Sequence, residues 1–196
     1  MAAAMGIPVR AAVLVLSAVA VAACDVPPRD AGAPETPASA VRSPAAPAAR
    51  PLRLPRIPAG AACPTTFPRP WSGPGVATAV LGDGPVYPVA DYFGDGTVLE
   101  LRARDRRPDG SYVKKVRWIG AGYRGPVLLR VGRIDGNGTA IIAFSYVGEE
   151  RDGAYHAELS SAVSDLPGTA TVSGPGCYAV QVDGTTFTTV VVFRAA

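Results

Sequence analysis

The chain contains one histidine, His156, in the stretch RDGAYHAELSS, with Asp152 four residues before it and Ser160 four residues after. Ser, His and Asp are the types that activate a hydroxyl for attack on an acyl carbon. The imidazole takes the hydroxyl proton and the carboxylate orients the ring. That chemistry would make the chain a hydrolase acting through His156. Triads are defined by geometry, however, and no Gly-x-Ser-x-Gly elbow presents a serine to the ring. The expectation is a solvated or turn-proximal histidine and no catalytic residue. One histidine with few cysteines does not make a zinc ligand set, so neither a metal nor a cofactor is expected. The acidic loops GDGPVYPVADYFGDG (82–96) and DGNGT (135–139) offer oxygens that suit calcium, but neither keeps the EF-hand register. Asp-Gly turns account for both.

Binding chemistry is better represented. LELRARDRRPDGSYVKKVRW gathers Arg102, Arg104, Arg106, Arg107, Lys114, Lys115 and Arg117. Read as a hairpin, it sets Arg102 and Arg104 opposite Leu99, Leu101 and Ala103. Such a patch suits anionic lipid, an acidic envelope polymer or an acidic protein partner, and the same charges also block edge-to-edge aggregation. Trp71, Tyr87, Tyr92 and Phe93 are aromatic loop residues of the kind that line a sugar or peptide groove or pack into a core. The net charge of +3 does not extend this to nucleic acid. Residues 61–196 carry 13 basic and 13 acidic side chains, whereas nucleic-acid binders concentrate positive charge on the folded part.

The elements that must position these residues are short. Nine β-branched or aromatic runs occupy 76–81, 86–90, 97–103, 111–119, 127–134, 139–147, 169–173, 177–182 and 185–193. Between them, Asp95-Gly96, Asp109-Gly110, Asp183-Gly184 and Asp135-Gly136-Asn137-Gly138 supply turn residues, and no segment keeps a helical period. This pattern predicts an all-β sandwich of about seven to nine strands, with a barrel as the alternative.

The first sixty residues have a different texture. Residues 11–23, AAVLVLSAVAVAA, are apolar and uncharged, long enough for a signal-peptide core and short of the ~18 residues of a spanning helix. Val21-Ala22-Ala23-Cys24 resembles the bacterial lipobox, which implies cleavage before Cys24, acylation of its thiol and amino group, and stable membrane anchoring. Prolines at 27, 28, 34, 37, 44, 47, 51, 55 and 58 then predict a disordered, partly polyproline-II tether. The expected organisation is a leader over 1–23, a lipidated cysteine and tether over 24–60, and a β-sandwich over 61–196. In an oxidising compartment the two remaining cysteines, Cys63 and Cys177, should pair.

CPTTFPRP (63–70), KVRWIGAGYRGPVLLRVGRID (115–135) and GPGCYAVQVDGTTFTTVVVF (174–193) together resemble a group of bacterial, actinobacterial-type secreted lipoproteins. Tyr178 stands where that group usually has Trp. The resemblance implies an immunoglobulin-like sandwich and a Cys63–Cys177 bridge, and brings no activity with it. The expected protein is thus a non-catalytic binding or structural module on the outer face of a bacterial cell membrane. Its partners would be the membrane, through the lipid, and an envelope polymer or protein.

Overall fold

In the computed structural model residues 50–196 are described, so the leader, Cys24 and the tether as far as residue 49 lie outside the described residues. Twelve strands follow in order: β1 (Pro68–Pro70), β2 (Ala79–Leu81), β3 (Val86–Pro88), β4 (Val98–Leu99), β5 (Tyr112–Ala121), β6 (Gly125–Arg133), β7 (Ala140–Phe144), β8 (Glu149–Arg151), β9 (Ala154–Leu159), β10 (Val163–Val172), β11 (Gly176–Asp183) and β12 (Thr188–Ala195). The only helical pieces among the described residues are 3-10 turns at Ala90–Tyr92 and Ala103–Asp105.

The strands form a four-stranded sheet ordered β3-β5-β10-β7, a six-stranded sheet ordered β4-β12-β11-β6-β9-β8, and a small β1-β2 pair. All pairs are antiparallel except β12 with β4, which is parallel. The fold is therefore all-β, with two sheets packed face to face as in a sandwich. Alternation along each strand builds the core. Val116 and Trp118 of β5 and Leu166, Ala170 and Val172 of β10 meet Val127, Leu129, Tyr178, Val180, Val191 and Phe193 of the larger sheet. Aromatic edges lock the layers, with Trp118 against Phe144 at 6.1 Å and Phe144 against Tyr155 at 5.5 Å.

Three differences from the sequence expectation have physical causes. The strand expected over 169–173 begins at Val163 and runs through Pro167, which reads in sequence as a break. Pro167 is opposite Arg117, whose carbonyl accepts from Val89 on the far side. The pair is thus not hydrogen-bonded to β5, and the missing N–H of Pro167 faces the end of β7, where it interrupts no ladder. The strand expected over 97–103 stops at Leu99 and gives way to the 3-10 turn, so residues 99–119 do not form a hairpin ladder. Strands β8 and β9, absent from the expectation, are joined by Asp152-Gly153, both at positive φ (52° and 70°) as a two-residue hairpin turn demands.

A further difference concerns the tether. Its last part, residues 50–60, lies along the outer face of the larger sheet as a strap. Leu54 and Ile57 pack with Cys63 on Ile134, Cys177, Ala179 and Val192, and the Ile57 amide donates to the Ile134 carbonyl at 2.9 Å. This is why β11 is buried on both faces from Cys177 to Asp183. Gln181 and Asp183, on its outer side, are fully buried beneath the strap. Asp183 accepts from Arg130 at 2.6 Å, from Gln181 at 3.0 Å and from Thr188 at 2.8 Å. The Arg53 amide donates to Gln181 Oε1 at 2.7 Å, and Arg130 donates to the Arg50 carbonyl at 2.5 Å.

Candidate functional site

Cys63 and Cys177 form a disulfide with a Cα–Cα distance of 5.5 Å across 114 residues. It joins the end of the strap to the start of β11. Cys24 lies outside the described residues.

The seven basic residues do not share one face. Arg102 is held by Glu100 at 2.6 Å, both in solvent. Lys114 and Lys115, adjacent on β5, point to opposite sides of the sheet. Lys114 is mostly buried and donates to Asp105 at 2.5 Å, a bond that holds the Asp105 carboxyl below its usual range. Arg117 forks Asp165 through Nε at 2.6 Å and Nη2 at 2.7 Å, and that hydrogen bonding raises its own pKa. Arg104, Arg106, Arg107 and Lys115 are exposed and have no ion-pair partner among the described residues. The three arginines cluster on the 3-10 turn and the loop after it, where Arg106 bridges to Tyr112 and the Arg107 amide donates to Ser111 O at 2.7 Å. They are the portion of the expected patch that the fold keeps together.

This cluster sits at the Tyr112 end of β5. The first described residue of the strap lies at the other end: Arg50 donates to Thr188 Oγ1 and to Thr185 O, both at 2.9 Å, and the Thr185 amide donates to the hydroxyl of Tyr123, just past Ala121. Ten residues of β5 separate the two ends, which at ~3.3 Å per residue is about 30 Å.

His156 is half-buried in the middle of β9, not in a turn or freely solvated. Its Nδ1 lies 3.3 Å from Arg151 Nη2, and Glu149 is its cross-strand neighbour. Burial first, and then the Arg151 charge, lower its pKa from the ordinary 6.5. Neither Asp152, which forms the hairpin turn, nor Ser160 hydrogen-bonds to the ring.

Three of the four carboxylates in the acidic loops are engaged locally, Asp83 being the exposed exception. Asp91 accepts from the Thr78 amide and hydroxyl, Asp95 from those of Thr97 at 3.0 and 2.8 Å, and Asp135 from Arg133 at 2.7 Å. Among the described residues no three His, Cys, Asp or Glu side chains converge as metal ligands. Of the aromatic loop residues, Phe93 is in the core against Phe193 at 5.7 Å. Trp71 stacks obliquely on Tyr87 at 5.0 Å, under Arg69 at 5.8 Å from the Tyr87 ring. Tyr92 alone faces outward, 42% exposed.

Tyr92 borders a groove, one of the two roles its residue type suggested, in company that the sequence did not indicate. On the outer face of the smaller sheet a groove of about 320 Å³ runs among Tyr92, Lys115, Arg117, Ser145, Tyr146 and Thr169. Tyr92 and Lys115 also border an adjoining cleft of about 490 Å³ that reaches Arg102 and Lys114. Tyr146, read in sequence as the end of a strand, lies in the loop after β7 and is 89% exposed.

The class these features define is an all-β double-sheet domain with a strapped outer face and an aromatic, cationic groove. Compared with family models, with curated proteins and with solved structures, the chain matches none.

Proposed function

We propose that this chain is a lipoprotein held at the extracytoplasmic face of a bacterial cell membrane by acyl chains on Cys24, with its β-sandwich an immunoglobulin-like, non-catalytic binding module. The observation that carries the reading is the placement of unpaired charge. Among the described residues, Arg104, Arg106 and Arg107 have no ion-pair partner and lie at the pole of the sandwich opposite Arg50, the first of those residues. A domain tethered through its amino-terminal side presents that pole away from the membrane. The arginines then meet an anionic polymer or acidic protein of the envelope, and not the lipid headgroups below.

Tyr178 supports the immunoglobulin-like form, since near the start of β11 it returns its hydroxyl to the Gly174 carbonyl at 2.8 Å, in the manner of a tyrosine corner. The surroundings of His156 support the absence of catalysis. In a triad the imidazole reaches a nucleophile's hydroxyl and a carboxylate orients it through Nδ1, whereas here Nδ1 faces the Arg151 guanidinium. The test compares strains at equal surface level. Reversal of Arg104, Arg106 and Arg107 to Glu should abolish retention on isolated envelope and copy a deletion, whereas His156→Ala should behave as wild type. A deletion phenotype from His156→Ala alone would replace the binding reading with a hydrolase. Cys24→Ala should release the protein from membranes and end fatty-acid labelling; labelling that persists would refute the anchor.

A further inference from the structure

We propose that the groove between Tyr92 and Tyr146 is a saccharide site that takes a sugar ring bearing an anionic group, a proposal resting on the binding-module reading. The first observation is the way Tyr146 is held. The Ser145 amide donates to the Pro167 carbonyl at 2.8 Å, and the hydroxyl of buried Tyr155 lies 2.9 Å from the Phe144 carbonyl and 2.8 Å from that of Val147. Gly148 closes the loop at φ 93°, and a Cβ there would meet the His156 carbonyl at 2.3 Å. The backbone on both sides of Tyr146 is therefore fixed while its ring stands in water. This ring is the most exposed large side chain of its kind among the described residues, and aromatics held out by a rigid scaffold serve binding surfaces.

Tyr92 provides a second ring at the same groove. It closes the 3-10 turn Ala90–Tyr92, which Asp91 fastens to Thr78. Lys115 lines the groove with them. Because Asp165 already matches the charge of Arg117, Lys115 is the groove's uncompensated cation among the described residues. Ser145 and Thr169 also line it, and their hydroxyls make no hydrogen bond within the protein among the described residues. Two phenol rings, two free hydroxyls and one free ammonium match the components of an acidic sugar: an apolar C–H face, ring hydroxyls, and a carboxylate or phosphate. The groove lies at the small end of ligand pockets, ~300–1,000 Å³, and it shares Tyr92 and Lys115 with the second cleft, which places further surface beside a first sugar ring. A peptide partner fits less well, because protein hot spots are desolvated pockets for apolar anchors, whereas this groove sets an ammonium and two hydroxyl-bearing residues beside its exposed rings.

The test is calorimetric titration of the intact chain in detergent with trigalacturonate, with glucose 6-phosphate, with neutral maltotriose and with a triglutamate peptide. One or both of the acidic sugars should bind, and the two separate carboxylate from phosphate as the preferred anion. Maltotriose and triglutamate should bind at least about fivefold more weakly. Tyr146→Ala should weaken the preferred sugar about tenfold and Lys115→Gln about three- to fivefold. Tyr146→Phe, which keeps the ring, should stay near wild type. The Arg104, Arg106, Arg107→Glu protein should bind the sugar normally while losing envelope retention. Absence of sugar binding, indifference to Tyr146→Ala, or triglutamate binding as tightly as the sugar would overturn the proposal. If envelope retention still depends on the arginines in that event, the binding-module reading stands without this groove; if it does not, both fall.

Discussion

Asp183 is the most exacting test of the strapped face. Its side chain is fully buried, and it accepts hydrogen bonds from Arg130, Gln181 and Thr188. In Asp183→Ala the Arg130 guanidinium, itself only 16% exposed, loses its counter-charge and keeps the Arg50 carbonyl as a neutral acceptor. Breaking one side of a buried pair costs ~3–5 kcal/mol. Counting bonds gives a similar figure: about 1.5–3 kcal/mol for the charged contact and about 1 kcal/mol for each of the two neutral donors left short. With a urea slope of ~1–3 kcal/mol/M, the unfolding midpoint should fall by roughly 2 M. Much of this loss is the stranded charge, so removing the partner as well should restore some of it. Arg130→Met combined with Asp183→Ala should be more stable than the sum of the single changes by at least about 1.5 kcal/mol in a double-mutant cycle. Loss of less than about 1 kcal/mol in Asp183→Ala, or simple additivity, would refute the strap network as described.

Removing the disulfide with Cys63→Ala and Cys177→Ala should cost about 4–5 kcal/mol by the chain-entropy relation for so long a loop, read as a lower midpoint in urea; an unchanged midpoint would show that the bridge constrains nothing. An NMR titration should place the His156 midpoint below 6.5. The unfolded chain then takes up the proton first, so stability falls as pH drops from about 6.5 toward the folded midpoint; Arg151→Ala should raise the midpoint without restoring it fully, since burial is the larger cause. Asp135, held low chiefly by its hydrogen bond from Arg133, contributes stability above 3.8 that is lost as pH falls through its lower folded value. Asp135→Asn should flatten that section of the acid limb, measured by thermal unfolding against pH.

Strand content was legible wherever β-branched residues crowd together, as in β5, β6, β11 and β12, because such side chains suit a pleated surface with at least one buried face. Pro167 concealed half of β10, since a proline excludes a strand only where its missing N–H would face a partner. Asp152-Gly153 carried the same turn signal as the other Asp-Gly pairs, but charged residues on both sides masked the short edge strand β8. The strap was concealed by composition. Prolines at 51, 55 and 58 remove donors, yet Leu54 and Ile57 supply the apolar contacts, with Leu54 lying over Gly132, where a Cβ would sit 3.0 Å from it. Of the groove, Tyr92 and Lys115 were visible as residue types. Tyr146 was not, because its exposure depends on a loop clamped by a residue nine positions away.

The strap and its disulfide also determine how the domain answers to force. A pull arriving along the chain at Arg50 loads the strap before it loads either sheet. Contacts at Arg50, Arg53 and Ile57 can then give way in succession, as in the opening of a zip. Peeling stops at Cys63, where a covalent bond passes the load to the centre of the larger sheet. Residues 50–62 would be released by then, a contour of roughly 45 Å at ~3.4 Å per residue, with the core still closed. The bridge thus works as a mechanical stop on an extensible leash, letting the domain give ground under shear without unravelling.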